Sequence, residues 1–236
     1  MNDFSTALVT GANKGIGKEI ARQLADAGLT VHLASRDAER GRRSVSEIGG
    51  DTRLLVLDVT DAGSIAAAAA QVERLDVLVN NAGVLLDSTT PPEADIDSFR
   101  WTYETNVFGV LAVTNAFLPA LRRSPHPRVV NISSGTGSLT WATGDQFPHH
   151  GSGAAYRSSK TALNALTLFY AHSLAAEGFK VNALAPGLRR TDLNARAASA
   201  DGDPAEAAAG AVRLALLPDD GPTGEFLSWD GTGVPW

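Results

Sequence analysis

Short apolar segments alternate with helix-like segments along almost the whole chain. Continuous apolar runs occur at about 7–9, 30–35, 54–57, 77–79, 128–133, 180–185 and 225–229. Unbroken runs of this length are typical of strands that are buried on both faces of a parallel sheet. Helical periodicity fills the intervals at about 15–28, 37–48, 61–74, 96–121 (with interruptions) and 154–178. The alternation predicts an α/β fold, a doubly wound parallel sheet of about seven strands with helices on both faces, in a three-layer sandwich.

The composition limits what such a chain can do. Its 236 residues include no cysteine, which excludes disulfides, thiolate nucleophiles and zinc–cysteine sites. The formal charge of −6 argues against a protein that neutralises nucleic-acid phosphates. Asp3 stands where a signal peptide would carry basic residues, and no apolar stretch reaches the roughly 20 residues of a membrane helix. We therefore predict a single cytoplasmic domain over residues 1–236, with no nucleic-acid or membrane partner.

Two longer connections follow predicted strands, at about 135–153 and 188–210. Open α/β sheets bind ligands at the carboxyl ends of their strands, so both connections are predicted to be substrate loops. The first contains Trp141, Phe147, His149 and His150. The aromatic side chains either form a wall of the substrate pocket or pin the loop to the core. The adjacent histidines suggest a metal only weakly, because no third ligand pattern accompanies them, and we interpret them as surface residues.

A glycine-rich turn joins the first strand to the first helix, with Gly11, Gly15 and Gly17 spaced as Gly-x3-Gly-x-Gly. Glycine lets a phosphate approach the backbone closely, and the free N–H groups and dipole of the following helix favour an anion. The spacing differs from the common Gly-x-Gly-x-x-Gly dinucleotide pattern. By itself the motif is compatible with a nucleotide site or with a plain tight turn.

Four further motifs follow in order, and with the glycine turn they resemble those of the short-chain dehydrogenases/reductases. The five motifs are Thr10-Gly11-x3-Gly15-Ile16-Gly17, Asp58-Val59, Asn80-Asn81-Ala82-Gly83, Tyr156-x3-Lys160 and Pro186-Gly187-x3-Thr191. The resemblance covers essentially the whole chain, and the ending Trp229-Asp230-Gly231 is similar to that of the carbonyl-reductase-like branch. It implies a Rossmann-type fold, a nicotinamide cofactor and chemistry at CH–OH or C=O groups.

The resemblance also implies a set of cofactor-binding residues. Asp58 and Val59 would hold the adenine, and Asn81, Ala82 and Gly83 would line the adjoining ribose. The composition of residues 80–83 also suits a plain turn at a strand end. The other implied contacts come from the glycine turn, the catalytic helix and the segment after the sixth strand: Gly11, Asn13, Lys14, Gly15, Ile16, Gly17, Tyr156, Lys160, Pro186, Gly187, Leu188 and Thr191.

Two cations predict which dinucleotide binds. Arg36 is the first charged residue after the second strand, where a dinucleotide site places an acid for the ribose hydroxyls or a base for a 2′-phosphate. Lys14 adds a second positive charge in the glycine turn. We predict NADP(H) in preference to NAD(H). The alternative is that Arg36 is a solvated surface charge and Asp37 only an N-cap. Arg189 departs from the family, which often has an apolar residue at that position.

Tyr156 and Lys160 lie four residues apart in a helical pattern, one turn apart on the same face. A free tyrosine has a pKa of about 10, and a neighbouring ammonium lowers that pKa. The pair therefore suits a tyrosine general acid/base, although an ordinary amphipathic helix can carry both residues.

The resemblance adds two residues to this pair. Ser134 matches the family's serine after the fifth strand, while Ser133 is predicted to be a structural hydroxyl. Asn106 matches an asparagine that helps hold a water linked to the lysine, and a buried asparagine bonded to backbone is a compatible interpretation. In the implied reaction Ser134 donates a hydrogen bond to the carbonyl oxygen, Tyr156 transfers the proton and Lys160 binds the nicotinamide ribose.

The sequence thus predicts an NADPH-dependent oxidoreductase that reduces a ketone or aldehyde, or runs the reverse reaction. Its partner would be a small carbonyl or alcohol substrate, and no metal is expected. The alternative is a non-catalytic NADP(H)-sensing protein on the same fold, which would not need a complete catalytic set. A sugar-nucleotide epimerase would need a further substrate domain, for which these residues leave no room. A homo-oligomer and a monomer are both compatible with the sequence.

Overall fold

A computed structural model describes residues 6–144 and 150–236. Its centre is a parallel sheet in the order β3-β2-β1-β4-β5-β6-β7. The strands are β1 Thr6–Val9, β2 Thr30–Ser35, β3 Thr52–Val56, β4 Val77–Asn80, β5 Arg128–Ile132, β6 Lys180–Ala185 and β7 Phe226–Ser228. The strand order reverses direction between β1 and β4, which is where a doubly wound sheet opens a crevice for ligands.

Helices cover both faces of this sheet. They are α1 Gly15–Asp26, α2 Ala38–Ile48, α3 Ala62–Ala69, α4 Ile96–Tyr103, α5 Gly109–Leu121, α6 Leu139–Ala142, α7 Ala154–Ser173, α8 Ala195–Ala198 and α9 Pro204–Ala215. Strand side chains alternate between two apolar cores: Leu8 and Leu78 point toward α3, α5 and α7, whereas Val9 and Val79 point toward α1 and α9. The predicted three-layer Rossmann-type fold is therefore confirmed.

Several element boundaries differ from the sequence prediction. The third helix ends at Ala69 instead of near 74. Beyond it, the N–H groups of Gln71 and Val72 donate to the carbonyls of Ala68 and Ala69, three residues earlier instead of four, so the α-helical pattern stops. The stretch over 96–121 is helical with an interruption, as predicted, and the interruption is a π-helical turn at Glu104–Phe108 between α4 and α5. The second predicted loop, 188–210, ends at Asp203, since residues 204–215 form a helix.

The missed helix α9 has recognisable start signals. The Asp203 carboxylate accepts the Ala205 N–H at 2.9 Å, and Pro204 occupies the first turn. Its alanine-rich face packs against α1, with Ala208 and Ala211 fully buried. The Asp-Pro start and the apolar spacing would have identified this helix, which shortens the predicted loop.

A buried polar ladder crosses the centre of the sheet below the ligand crevice. Asn80 and Asn131 are directly opposite one another in the β4–β5 register. The Asn80 amide donates to Asn131 Oδ1 at 2.9 Å and to Thr114 Oγ1 at 3.1 Å, and the Asn131 amide donates to Thr167 Oγ1 at 2.9 Å. The ladder therefore joins β4 and β5 to α5 and α7, and it fixes the helix that carries Tyr156.

Candidate active site

A cleft of about 390 Å³ opens at the carboxyl ends of the strands. Most of the residues predicted to bind a cofactor line it: Gly11, Asn13, Lys14, Gly15, Ile16, Gly17, Arg36, Asp58, Val59, Asn81, Ala82, Gly83, Tyr156, Lys160, Pro186 and Thr191. Gly187 and Leu188 continue the chain from Pro186 but are not among the lining residues. The volume is within the range of small-molecule sites.

The glycine turn is shaped by contact with the strand next to it. Gly11 has φ +61°, and a Cβ there would lie 2.9 Å from Cα of Ala82. Thr10 Oγ1 accepts the N–H groups of Asn81 and Ala82 at 2.9 and 3.0 Å, and the Asn81 amide donates to Thr10 O at 2.9 Å. The turns after β1 and β4 are thus tied together, so that residues 80–83 serve as more than a simple strand-end turn.

The start of α1 has the properties of an anion site. The helices α2, α3 and α4 are capped by the side chains of Asp37, Asp61 and Asp95, whereas no side chain caps α1 and no acidic residue lies in its first turn. The first N–H groups of a helix carry partial positive charge. An uncapped helix start within a glycine turn in the cleft fits the phosphates of a dinucleotide.

Positive charge collects where the adenosine end of a dinucleotide would lie. Arg36 is exposed in the cleft, and Arg40, which the sequence analysis missed, lines the same region. Arg40 lies four residues beyond Arg36, a spacing that places both at the start of α2. Asp37 caps α2 through the Arg40 N–H at 3.0 Å, which chiefly accounts for the lowered pKa of this carboxyl. Asp37 is therefore the N-cap of α2, as the alternative interpretation of this segment held.

Tyr156 and Lys160 line one end of the cleft, and Asn106 and Ser134 lie close to them but are not among the lining residues. The Tyr156 phenol lies near the Ser134 side chain, which affects the pKa of that phenol, and Lys160 Nζ lies 5.7 Å from the centre of the Tyr156 ring. A Cβ on Gly83 would lie 3.4 Å from Asn106 Oδ1 and 3.5 Å from Lys160 Nζ, so Gly83 separates these two groups. Four residues from three separate segments therefore share one small volume.

Asn106 lies in the π-helical turn, fully buried. Its Oδ1 accepts the Val84 N–H at 2.9 Å, and its Nδ2 donates to Val84 O at 2.9 Å and to Ser159 Oγ at 3.0 Å. The backbone-bonded interpretation of this asparagine is correct in the structure. The π turn is a local irregularity of the kind that often marks functional sites.

The two serines after β5 have different surroundings. Ser133 Oγ is buried and donates to Asn164 Oδ1 at 2.5 Å, so it is a structural hydroxyl as predicted. Ser134 is partly exposed and faces Tyr156, with Thr136 Oγ1 at 2.8 Å. Of the two, Ser134 is positioned to meet a ligand.

Burial controls the proton affinities of the Tyr156–Lys160 pair. The ammonium of Lys160 is 4% exposed and donates to Ile132 O at 2.8 Å, and desolvation lowers its pKa to about 8. The pKa of Tyr156 is raised by burial, against smaller lowering effects from the Ser134 hydrogen bond and the charge of Arg157. Desolvation of the phenol thus outweighs the lowering effects of Ser134 and Arg157 on its pKa, and the expected lowering of this pKa by Lys160 stays a prediction.

The first predicted substrate loop is anchored to the core. The Trp141 ring lies against Gly135, where a Cβ would approach it to 2.6 Å, and it packs on the cluster that contains Phe226. Of the two roles considered for Trp141, the structure supports pinning the loop. His150 is exposed, and Phe147 and His149 lie outside the described residues. No group of three His, Asp or Glu side chains within the described ranges is arranged to hold a metal.

Arg189 and Trp236 also take structural positions. The Arg189 guanidinium is 8% exposed and stacks on the Trp229 ring at 4.2 Å, with Glu206 at 3.4 Å from its Nη1. A stacked cation thus fills a site where the family often has an apolar side chain. Trp236 stacks on Phe226 with ring centres 5.3 Å apart, so it covers the core.

Comparisons with known proteins identify the family. The short chain dehydrogenase model matches residues 5–202. (−)-Isopiperitenone reductase of Mentha piperita is 36% identical, with 95% of this chain and 96% of the relative covered. Salutaridine reductase of Papaver bracteatum is 33% identical over 93% of each chain. The chain belongs to the short-chain dehydrogenase family, a family of oxidoreductases that use a nicotinamide cofactor.

Solved structures agree with this assignment. A short chain dehydrogenase/reductase family protein superposes with a TM-score of 0.85 at 32% identity, covering 97% of each chain. The NADPH-bound carbonyl reductase from chicken fatty liver superposes with a TM-score of 0.84 at 28% identity, covering 99% of each chain. Within the described residues, no helix is long and apolar enough to cross a membrane.

Proposed function

We propose that this protein is an NADPH-dependent carbonyl reductase that interconverts a ketone or aldehyde and the corresponding alcohol. The observation that carries the proposal is the closeness of the Tyr156 and Ser134 hydroxyls beside the cleft, one helical turn from Lys160. Two hydroxyl donors that meet at one point can both address a single carbonyl oxygen. Such donors stabilise the negative charge that develops on that oxygen.

Each of the four residues has a separate role in the proposed reaction. The nicotinamide, when bound, supplies or accepts the hydride. Ser134 holds the substrate oxygen, and Tyr156 donates its proton to that oxygen in reduction or takes it back in oxidation. Because burial raises the pKa of Tyr156, the phenol keeps its proton at neutral pH and is set to act as an acid. Lys160 binds the ribose of the cofactor, and Asn106 holds the turn that faces it.

The preference for NADPH rests on charge. Arg36, Arg40 and Lys14 all line the cleft, and guanidinium groups match a phosphate in charge and geometry. The structurally similar carbonyl reductase from chicken fatty liver is NADPH-bound, which supports the same choice here.

The cleft favours an apolar carbonyl compound. Leu86 and Leu193 line it with 54% and 38% of their surface exposed, and Leu85 lies beside them. Exposed leucine side chains around one opening form an apolar surface. Covering this surface with an apolar ligand removes it from water, which is favourable in free energy. The substrate is thus proposed to carry its carbonyl on a hydrocarbon body.

A turnover assay with NADPH and a panel of ketones and aldehydes, followed by cofactor absorbance, tests the proposal. Tyr156→Phe should lower kcat by about 100- to 10,000-fold while NADPH still binds. Tyr170→Phe is the matched control, because that hydroxyl lies on the same helix but bonds Asn115 at 2.7 Å. Substantial turnover in Tyr156→Phe would refute the mechanism. Silence of the wild type across the panel, with NADPH bound, would favour the sensing alternative.

A further inference from the structure

The hydroxyl of Thr136 is directed at Ser134. Thr136 follows Ser134 by two residues in the short 3-10 turn Gly135–Gly137. Its Oγ1 lies 2.8 Å from Ser134 Oγ, and its backbone N–H donates to the same oxygen at 3.2 Å. Among the described residues, the Thr136 hydroxyl has no other hydrogen-bond partner. One residue thus supplies two hydrogen-bond contacts to the Ser134 hydroxyl.

The single proton and two lone pairs of the Ser134 hydroxyl determine which residue donates in the Ser134–Thr136 hydrogen bond once a substrate is bound. A serine hydroxyl has one proton to donate and two lone pairs that accept. If Ser134 donates its proton to a carbonyl oxygen, both of its lone pairs are left for acceptance. The Thr136 N–H fills one of them. The Thr136 hydroxyl can then remain bonded to Ser134 only as the donor.

We infer that Thr136 is a positioning residue, which donates its hydroxyl proton to Ser134 and so directs the Ser134 proton toward the substrate oxygen. The inference rests on the proposed function of the same site. A donor to Ser134 Oγ also polarises its O–H bond, since hydrogen bonds in a chain strengthen one another. The relay runs from Thr136 to Ser134 to the carbonyl oxygen.

The turn does not depend on the Thr136 hydroxyl for its shape. Gly137 O accepts Thr161 Oγ1 at 2.9 Å, and a Cβ on Gly137 would lie 2.8 Å from the backbone of Lys160. On the other side Trp141 covers Gly135. The turn is held from both ends by α7 and by Trp141, so removing one hydroxyl should leave the backbone in place.

The test compares Thr136→Val with Thr136→Ser, using NADPH and the best ketone of the panel. Loss of one hydrogen bond of this kind should lower kcat by about 3- to 10-fold in Thr136→Val, with the Kd for NADPH unchanged. Thr136→Ser keeps the hydroxyl and should retain the wild-type kcat. Thr140→Val is the matched control, because its hydroxyl bonds Trp236 O at 2.9 Å away from Ser134.

A double-mutant cycle separates positioning from structure. In a Ser134→Ala background, Thr136→Val should have no further effect on kcat, since there is no hydroxyl left to direct. An equal loss in both backgrounds, or full kcat in Thr136→Val, would overturn the inference. If Thr136→Val fails to fold, Thr136→Ala takes its place in the cycle. If Tyr156→Phe and Ser134→Ala both keep the wild-type kcat, the proposed function itself is wrong, and this result is distinct from a failure of the inference about Thr136.

Discussion

Lys14 and Asp192 face one another across the mouth of the cleft, with Nζ 3.4 Å from Oδ2. Lys14 belongs to the turn after β1 and Asp192 to the segment after β6, and both side chains are more than half exposed. Beside them Thr191 approaches Gly15, where a Cβ would lie 3.4 Å from its Cγ2. The pair therefore joins two segments that must both admit a dinucleotide, and it places a carboxylate beside the proposed phosphate site.

Asp192→Asn should tighten NADPH binding. The substitution removes a negative charge that competes with the cofactor for Lys14. An exposed ion pair contributes at most about 1 kcal/mol, so the Kd should fall by about 2- to 5-fold at low salt and by less at high salt. Fluorescence titration at two ionic strengths measures the effect. Asp201→Asn, an exposed acid outside the cleft lining, is the control, and a weaker affinity in Asp192→Asn would contradict the prediction.

Arg36→Asp should exchange the cofactor preference. The change removes a cation from the proposed 2′-phosphate site and places there an acid that suits the ribose hydroxyls of NADH. Loss of a charged hydrogen bond should raise the Kd for NADPH by about 10- to 100-fold, while the Kd for NADH changes little or falls. Arg42→Asp makes the same charge change at an exposed position of the following helix α2, outside the cleft lining, and should leave both constants near wild type. Unchanged NADPH affinity in Arg36→Asp would disprove the assignment.

Lys160 should make stability increase with pH relative to Lys160→Met. Folding lowers the pKa of this ammonium from 10.5 to about 8, so between these values the unfolded chain binds more protons than the native one. Stability therefore rises with pH through this window. Between pH 7 and 9.5 the wild type should gain about 2 kcal/mol of unfolding free energy over Lys160→Met. Urea unfolding of both proteins without cofactor measures the difference, and a constant gap across this range would show that Lys160 titrates normally.

Arg128→Met should destabilise the protein without changing its kinetics. The Arg128 side chain is buried at the start of β5, where it donates to Leu217 O at 2.9 Å and to Asp219 at 2.7 Å. Removing it deprives a fully buried side-chain site of its two hydrogen bonds and leaves the partly buried Leu217 carbonyl without this donor, at a cost of about 1–3 kcal/mol. Urea unfolding and the KM for NADPH are the two measurements. Arg53→Met, which breaks an exposed pair with Asp51, should change neither.

The regular features of this fold were predictable because they follow from periodicity. Buried strands need continuous apolar runs, and those runs located the sheet and the strand ends at which Gly11, Asn81 and Pro186 lie. The Tyr156–Lys160 spacing placed both side chains on one face of α7, where the structure has them. Such features depend on neighbours in sequence, which the chain itself displays.

The unpredicted features depend on neighbours in space. Arg40 reaches the cleft because α2 lies against the glycine turn, where Ser44 Oγ donates to Asn13 O at 2.9 Å, and nothing local to residue 40 indicates this. The raised pKa of Tyr156 results from burial beneath other segments, which sequence spacing does not reveal. Asn106 lies in a π-helical turn, and its side-chain amide makes both of its hydrogen bonds to backbone atoms with Val84, which is 22 residues earlier in the sequence.

The pairing of Asn80 with Asn131 also bears on how the sheet assembles. If β5 slipped by one residue along β4, Asn131 would turn to the face occupied by Val79 and Val130 and lose its amide partners. Each such misaligned state would bury an unpaired amide at a cost of about 1–3 kcal/mol. The two asparagines therefore favour the native register of β4 and β5 during folding. In this register the strand ends meet to form the cleft.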